Sequence, residues 1–151
     1  MTKFQDQRVS ILVDAENLEI AVTQILNGRI DYSKLLARIN NRCIIRALYF
    51  KPKNKLTEGL RRVVENRGFE VKTPPKNVDC WLTIDAVTLS DRSDVIVLVG
   101  GDADYLPLVW YLKSKGVKVE LWMIEEHTSK ELISYVDEFV PITHSFLLIE
   151  S

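Results

Sequence analysis

The chain has 151 residues, 46% hydrophobic and 27% charged, with a net charge of −1. That length suits a single domain over residues 1–151 with its own apolar core, needing neither disulfides nor a structural metal. No apolar run approaches the ~20 residues of a membrane span, and the polar start from Met1 to Arg8 lacks the apolar centre of a signal peptide, so a cytoplasmic protein with no membrane partner is expected.

In chain order, the β-branched run Val9 to Val13 predicts a buried strand that closes on Asp14. A helix over about 16–26 follows, with Asn17 in its first turn and Glu16 expected to point away from Asp14. A short helix over about 33–41 comes next, then a strand over 43–50 ending at Phe50. Phe50 stands beside Lys51 and Lys53 and is the aromatic expected to stack on a nucleobase. The next helix, over 55–67, carries Arg61 and Arg62, and after Gly68 a short strand over 69–72 ends on Lys72. Thr73-Pro74-Pro75-Lys76-Asn77 must be loop, because proline neither continues a helix nor pairs in a central strand.

A helix over about 79–90 then carries Asp79 and Asp85. Six residues at 100° each leave the two carboxylates about 120° apart, so a regular helix cannot aim both squarely at one ion. Asp79 equally suits a capping role, and Lys76, just before it, can reach a substrate phosphate. Val95 to Val99 reads as a second buried strand, within 94–99; Gly100 and Gly101 permit a tight exit, and Asp102 and Asp104 open a helix over 104–114. Helix capping is the competing role for both aspartates. Gly116 stops that helix, and a strand over 117–123, a short helix over 129–135 and a last strand over 138–142 complete the pattern. The apolar tail Ser145 to Ile149 can add a strand to a sheet edge or pair with a second copy in a homodimer.

This β-α alternation predicts a three-layer α/β/α sandwich on a mainly parallel sheet, whose right-handed crossovers cover both faces. A strand order of 3-2-1-4-5 makes the strands ending in Asp14 and Asp102 neighbours at the reversal point, where ligands bind in such sheets. Two carboxylates ~5 Å apart repel by roughly 3 kcal/mol at an effective dielectric of 20, which calls for a cation or a shifted pKa. Mg2+ or Mn2+ suits an all-oxygen site. Zinc is not expected from Cys43, Cys80, His127 and His144, which share no ligand spacing. Trp81, Trp110 and Trp122 are expected in the core.

Charge is uneven: residues 51–76 carry Lys51, Lys53, Lys55, Arg61, Arg62, Arg67, Lys72 and Lys76 against three glutamates. A basic flank beside an acidic mouth suits a polyanion whose chemistry needs a cation, although a solvated face explains any one of these charges. Dinucleotide, P-loop and nucleophile-elbow motifs are absent from the sequence.

The segments Val13-Asp14-Ala15-Glu16-Asn17, Lys76-Asn77-Val78-Asp79 with Asp85, and Gly100-Gly101-Asp102-Ala103-Asp104-Tyr105 together resemble the NYN-domain family, the LabA-like branch of the PIN-like nuclease superfamily. The resemblance implies an acidic metal site of Asp14, Asp79, Asp85, Asp102 and Asp104, supported by Asn17 and Lys76. It differs from the family pattern at Gly100, where relatives carry a small hydroxyl residue, and at Tyr105, where phenylalanine is frequent. The activity it implies is a metal-dependent ribonuclease acting on single-stranded RNA, the near-neutral charge being poorly suited to duplex binding. Arg61, Arg62, Lys72 and Lys76 would then anchor the RNA backbone. Two alternatives stand beside it: a non-catalytic RNA- or protein-binding regulatory module of the same fold, and a phosphatase acting on small esters.

Overall fold

The computed structural model describes residues 6–149; the remainder of the N-terminal polar stretch and the last two residues lie outside them. Six strands form one all-parallel sheet in the order β3-β2-β1-β4-β5-β6. They are β1 (Arg8–Asp14), β2 (Cys43–Phe50), β3 (Glu70–Lys72), β4 (Val95–Val99), β5 (Lys118–Met123) and β6 (Glu138–Pro141). The expected order is therefore extended by a sixth parallel strand at the β5 edge.

Strand alternation between two cores explains why β4 is apolar throughout and why the interior of β1 is apolar but for Ser10, whose hydroxyl bonds that of Ser93 at 2.8 Å. Val9, Ile11 and Val13 of β1, with Val95, Val97 and Val99 of β4, face one core; Leu12, Ile96 and Leu98 face another. The first core is covered by α1 (Ala15–Ala21), α2 (Tyr32–Arg38) and α3 (Glu58–Asn66). The second lies under α4 (Val78–Leu89), α5 (Leu106–Ser114) and α6 (Lys130–Tyr135). Moving outward from β1 to β3 on one face and returning on the other puts the reversal between β1 and β4, the neighbours that pair Val13 with Val99.

Several expectations are refined locally. The helix expected over 16–26 is two pieces, α1 and a π-helical turn Val22–Leu26, ended by Asn27 in the left-handed region. The segment 53–55 is a separate 3-10 turn, and Thr57 caps α3 by accepting from the Leu60 amide. The apolar tail adds no strand to the sheet. It makes a 3-10 turn, His144–Phe146, and one antiparallel bridge from Leu147 to Ile30, with Phe146 and Leu147 buried in the first core.

Of the three tryptophans only Trp122 is buried; Trp81 is 52% exposed and Trp110 59%, correcting the expectation that all three pack inside. The reason is helix phase: α4 and α5 bury Leu82, Ala86, Leu108 and Leu112, which leaves Trp81 and Trp110 on the outer faces. No helix among the described residues is long and apolar enough to cross a membrane.

Candidate functional site

Beyond the carboxyl ends of β1 and β4 lies a cleft of about 320 Å3 lined by Asp14, Glu16, Asn17, Asp79, Asp102 and Asp104, with Ile20, Pro52, Asn77 and Val78. The acids arrive on separate elements, except that Asp102 and Asp104 share one turn. Asp14 is the last residue of β1 and sits half-buried at the start of α1. Asp102 follows the glycine turn that ends β4, and Asp79 lies in the first turn of α4, after Asn77 turns the chain through the left-handed region.

Close approach at the turn is set by the two glycines. A Cβ on Gly100 would stand 3.3 Å from both the Asp14 Cβ and the Tyr105 ring. One on Gly101 would meet the His127 carbonyl oxygen at 2.5 Å, and the Ser129 amide donates to the Gly101 carbonyl at 2.9 Å. The space beside Gly100 is where the fully buried Tyr105 lies, and its hydroxyl donates to Asp14 Oδ2 at 2.8 Å.

Burial pushes the Asp14 carboxyl up to about 6, and the Asp102 and Asp79 carboxylates add to that rise. The Tyr105 hydroxyl and the Asn17 backbone amide oppose it. Tyr105 is itself raised well above the ordinary tyrosine range, first by burial and then by the charge of Asp14. Asp102 does cap its turn, its Oδ1 accepting from the Asp104 amide at 2.9 Å, while its second carboxylate oxygen has no such bond among the described residues.

The residues expected at the site divide into two groups. Asp14, Asn17, Asp79, Asp102 and Asp104 line the cleft together. Asp85 does not line it; its Oδ2 is 3.7 Å from the Lys72 ammonium, which is the outcome that helix phase requires once Asp79 faces the cleft. Phe50 is 1% exposed in the second core, so it offers no ring to a nucleobase, which overturns that expectation. It is the last residue of a strand that is buried at its carboxyl half. Arg61 pairs with Glu65 at 3.6 Å one helical turn away, and neither Arg61, Arg62, Lys72 nor Lys76 lines the cleft.

Two functional groups escaped the sequence reading. Glu16 lines the cleft although it was expected to point away. Tyr105 supplies the hydroxyl that holds Asp14, and its only sequence signal is its spacing behind Gly100 and Asp102.

Whether Mg2+ or Mn2+ fits can be judged from the donors. Among the described residues no three His, Cys, Asp or Glu side chains stand close enough to form a ligand cage. The Asn17 Oδ1 atom is nevertheless buried without a hydrogen-bond partner among the described residues, beside a carboxylate that neighbouring acids disfavour. A buried acceptor lacking a donor is what a hydrated cation satisfies, and Mg2+ binds through one or two carboxylates while keeping several waters. The residues fit such an ion.

The family model for the NYN domain matches residues 8–144. The chain is 27% identical over 145 residues to the uncharacterised protein MJ0482 of Methanocaldococcus jannaschii, covering 95% of this chain and 58% of that protein. It thus spans somewhat over half the length of that curated relative. A crystal structure of VPA0982, a protein of unknown function from Vibrio parahaemolyticus, superimposes with a TM-score of 0.90 at 24% identity, over 98% of this chain and 100% of that one, which bears on the fold alone.

Proposed function

We propose that this chain, which belongs to the NYN domain family and through it to the PIN-like nuclease superfamily, is a ribonuclease that cuts single-stranded RNA with the help of Mg2+ or Mn2+. The observation that carries the reading is Asp14: a half-buried carboxyl with a pKa of about 6, facing Asp79 and Asp102 across a cleft that also holds the unpartnered Asn17 oxygen. A solvated acidic face would give neither the raised pKa nor the orphaned acceptor.

Asp14 and Asn17 would hold the ion, with Asp79 or Asp102 reaching it through water. When bound, the ion lowers the pKa of a coordinated water and offsets charge developing on the phosphate. Tyr105 keeps the Asp14 carboxylate turned toward the cleft by donating to one of its oxygens. Asp102 is fixed by its bond from the Asp104 amide, which leaves Asp104, exposed at the rim, to orient the attacking water and take its proton. Lys76, exposed in the loop before α4, is available to a backbone phosphate.

A non-catalytic binding module of the same fold is favoured by one observation, that no three ligating side chains converge among the described residues. Cleavage of end-labelled single-stranded RNA in Mn2+ separates the two. The nuclease reading expects metal-dependent products from the parent and a loss of roughly 100-fold or more in Asp14→Asn. RNA retained but never cut supports the binding module, and hydrolysis of a small phosphate ester without RNA cleavage supports a phosphatase.

A further inference from the structure

The acidic cleft does not end at Asp14. Glu16 and Ile20 also line a neighbouring depression of about 320 Å3, whose walls include Thr23, Lys51 and Lys55. Glu19 and Thr23 lead from there into a third cavity of about 510 Å3 between α1, the start of α2 and α3. Shared lining residues place the three side by side along α1 and its π-helical turn. Glu16, Glu19, Ile20 and Thr23 are spaced three and four residues apart, so one continuous face of α1 and its π-helical turn forms the wall.

The charges of these depressions are set by which groups already have partners. Glu19 accepts from the Tyr32 hydroxyl at 2.6 Å and the Tyr49 hydroxyl at 2.8 Å, and pairs with the Lys51 ammonium. Asp31 caps α2, accepting from the Ser33 amide at 3.0 Å and from its hydroxyl. Lys55 in the middle depression and Arg29 and Arg67 in the far cavity have no ion-pair partner among the described residues. Past Glu16, cations without an ion pair outnumber anions: Lys55, Arg29 and Arg67 stand against Asp31, whose hydrogen bonds come from the neutral Ser33. The far cavity adds apolar wall from Ile30, Leu60, Val63 and Leu148, of which Val63 and Leu148 are exposed. Guanidinium groups beside an open apolar wall suit a nucleotide, with phosphate on the planar guanidinium forks and the flat face of the base covering apolar surface that is otherwise in water.

We infer that this far cavity is a nucleotide subsite, and that a single RNA strand reaches the acidic cleft along α1 past Lys55, rather than over Arg61, Arg62 and Lys72. The inference rests on the ribonuclease reading of the cleft. Arg61 and Lys72 are paired with Glu65 and Asp85, and none of Arg61, Arg62 and Lys72 lines any of the three depressions.

Anisotropy of a short labelled oligouridylate in chelator, measured across a salt series, tests it. Arg29→Ala with Arg67→Ala is expected to weaken binding about tenfold or more at low salt and to flatten the slope of log K against log salt by ~0.7 per contact removed. Val63→Glu, which leaves both arginines in place, should weaken binding comparably, while Arg61→Ala with Arg62→Ala should bind like the parent. All variants should keep the parent melting temperature. A parent that binds no oligouridylate at low salt overturns the ribonuclease reading and the subsite together. A parent that binds while the Arg29, Arg67 pair variant matches it at every salt overturns the subsite alone. Displacement of the oligonucleotide by an oligoglutamate peptide at equal concentration would assign the cavity to acidic peptides and equally overturn the inference.

Discussion

Asp14 ends a buried strand with its carboxyl half out of water, so its charge state is coupled to folding. Its pKa rises from 3.8 to about 6, so the folded state binds the proton more tightly than the unfolded chain. Stability is then fullest with Asp14 neutral, below about pH 4, and declines as pH rises toward 6; the full loss, on the order of 3 kcal/mol for a shift of this size, is reached above it. Asp14→Asn should melt higher than the parent at pH 8 without added metal and close to it at pH 4, and equal melting at pH 8 would remove the case for a strained carboxylate. Tyr105→Phe deletes the donor to Asp14 Oδ2 and should raise that pKa further, costing about 1.5–3 kcal/mol above pH 6 and little below pH 4. A carboxyl-carbon NMR titration of Asp14 reads that shift directly. Asp14 and Asp102 were legible in the sequence because strand ends can be located from β-branched runs. Tyr105 was not, since a buried tyrosine beside a glycine turn looks like any other core aromatic until Gly100 and Asp14 are known to touch.

At the scale of the element, α4 shows how helical phase sorts residues that look alike in sequence. Asp79 faces the cleft while Asp85, six residues on, meets Lys72 from β3. The Lys72 and Asp85 side chains are both about a third or more exposed, so their pairing is worth at most about 1 kcal/mol. Asp85→Ala should therefore cost no more than that and leave RNA cleavage unchanged, whereas Asp79→Ala should lower cleavage without lowering stability. Equal loss of cleavage in both would return Asp85 to the site. β2 makes the complementary point at Phe50, where lysines in the following loop suggest an exposed ring but the strand ends inside the second core. Phe50→Ala should cost about 3–5 kcal/mol in denaturant unfolding, as core truncations do, and affect RNA affinity only through folding.

For the whole molecule, the groove at the β1/β4 reversal draws on both helical layers, with Asp79 from one and Asn17 from the other. Mg2+ or Mn2+ bound there in the folded state alone should raise stability by about 2.7 kcal/mol at a hundredfold excess over Kd. The rise should shrink in Asp14→Asn, and a melting curve indifferent to millimolar divalent cations would defeat the metal proposal. Far from the cleft, the buried Arg42 guanidinium bonds Glu120 at 2.7 Å and ties the loop after α2 to β5. Arg42→Met removes the guanidinium from that buried carboxylate, which the Trp122 Nε1–H also reaches at 3.2 Å, and should lower stability with no change in the pH dependence assigned to Asp14.

The sequence by itself determined the alternation of strands and helices, the parallel sheet and the two strand ends that carry Asp14 and Asp102. All of these follow from periods of 2 and 3.6 residues and from glycine and proline, which act over a few neighbouring positions. Only the tertiary structure decided that Glu16 joins the cleft, that Asp85 and Phe50 do not, and that α1 and its π-helical turn run beside three depressions, the last holding Arg29 and Arg67. Those outcomes depend on the phase of each helix against the sheet and on which charges are already paired. Both are set by contacts between residues far apart in the chain, such as Tyr105 with Asp14 and Tyr49 with Glu19, which no local pattern encodes.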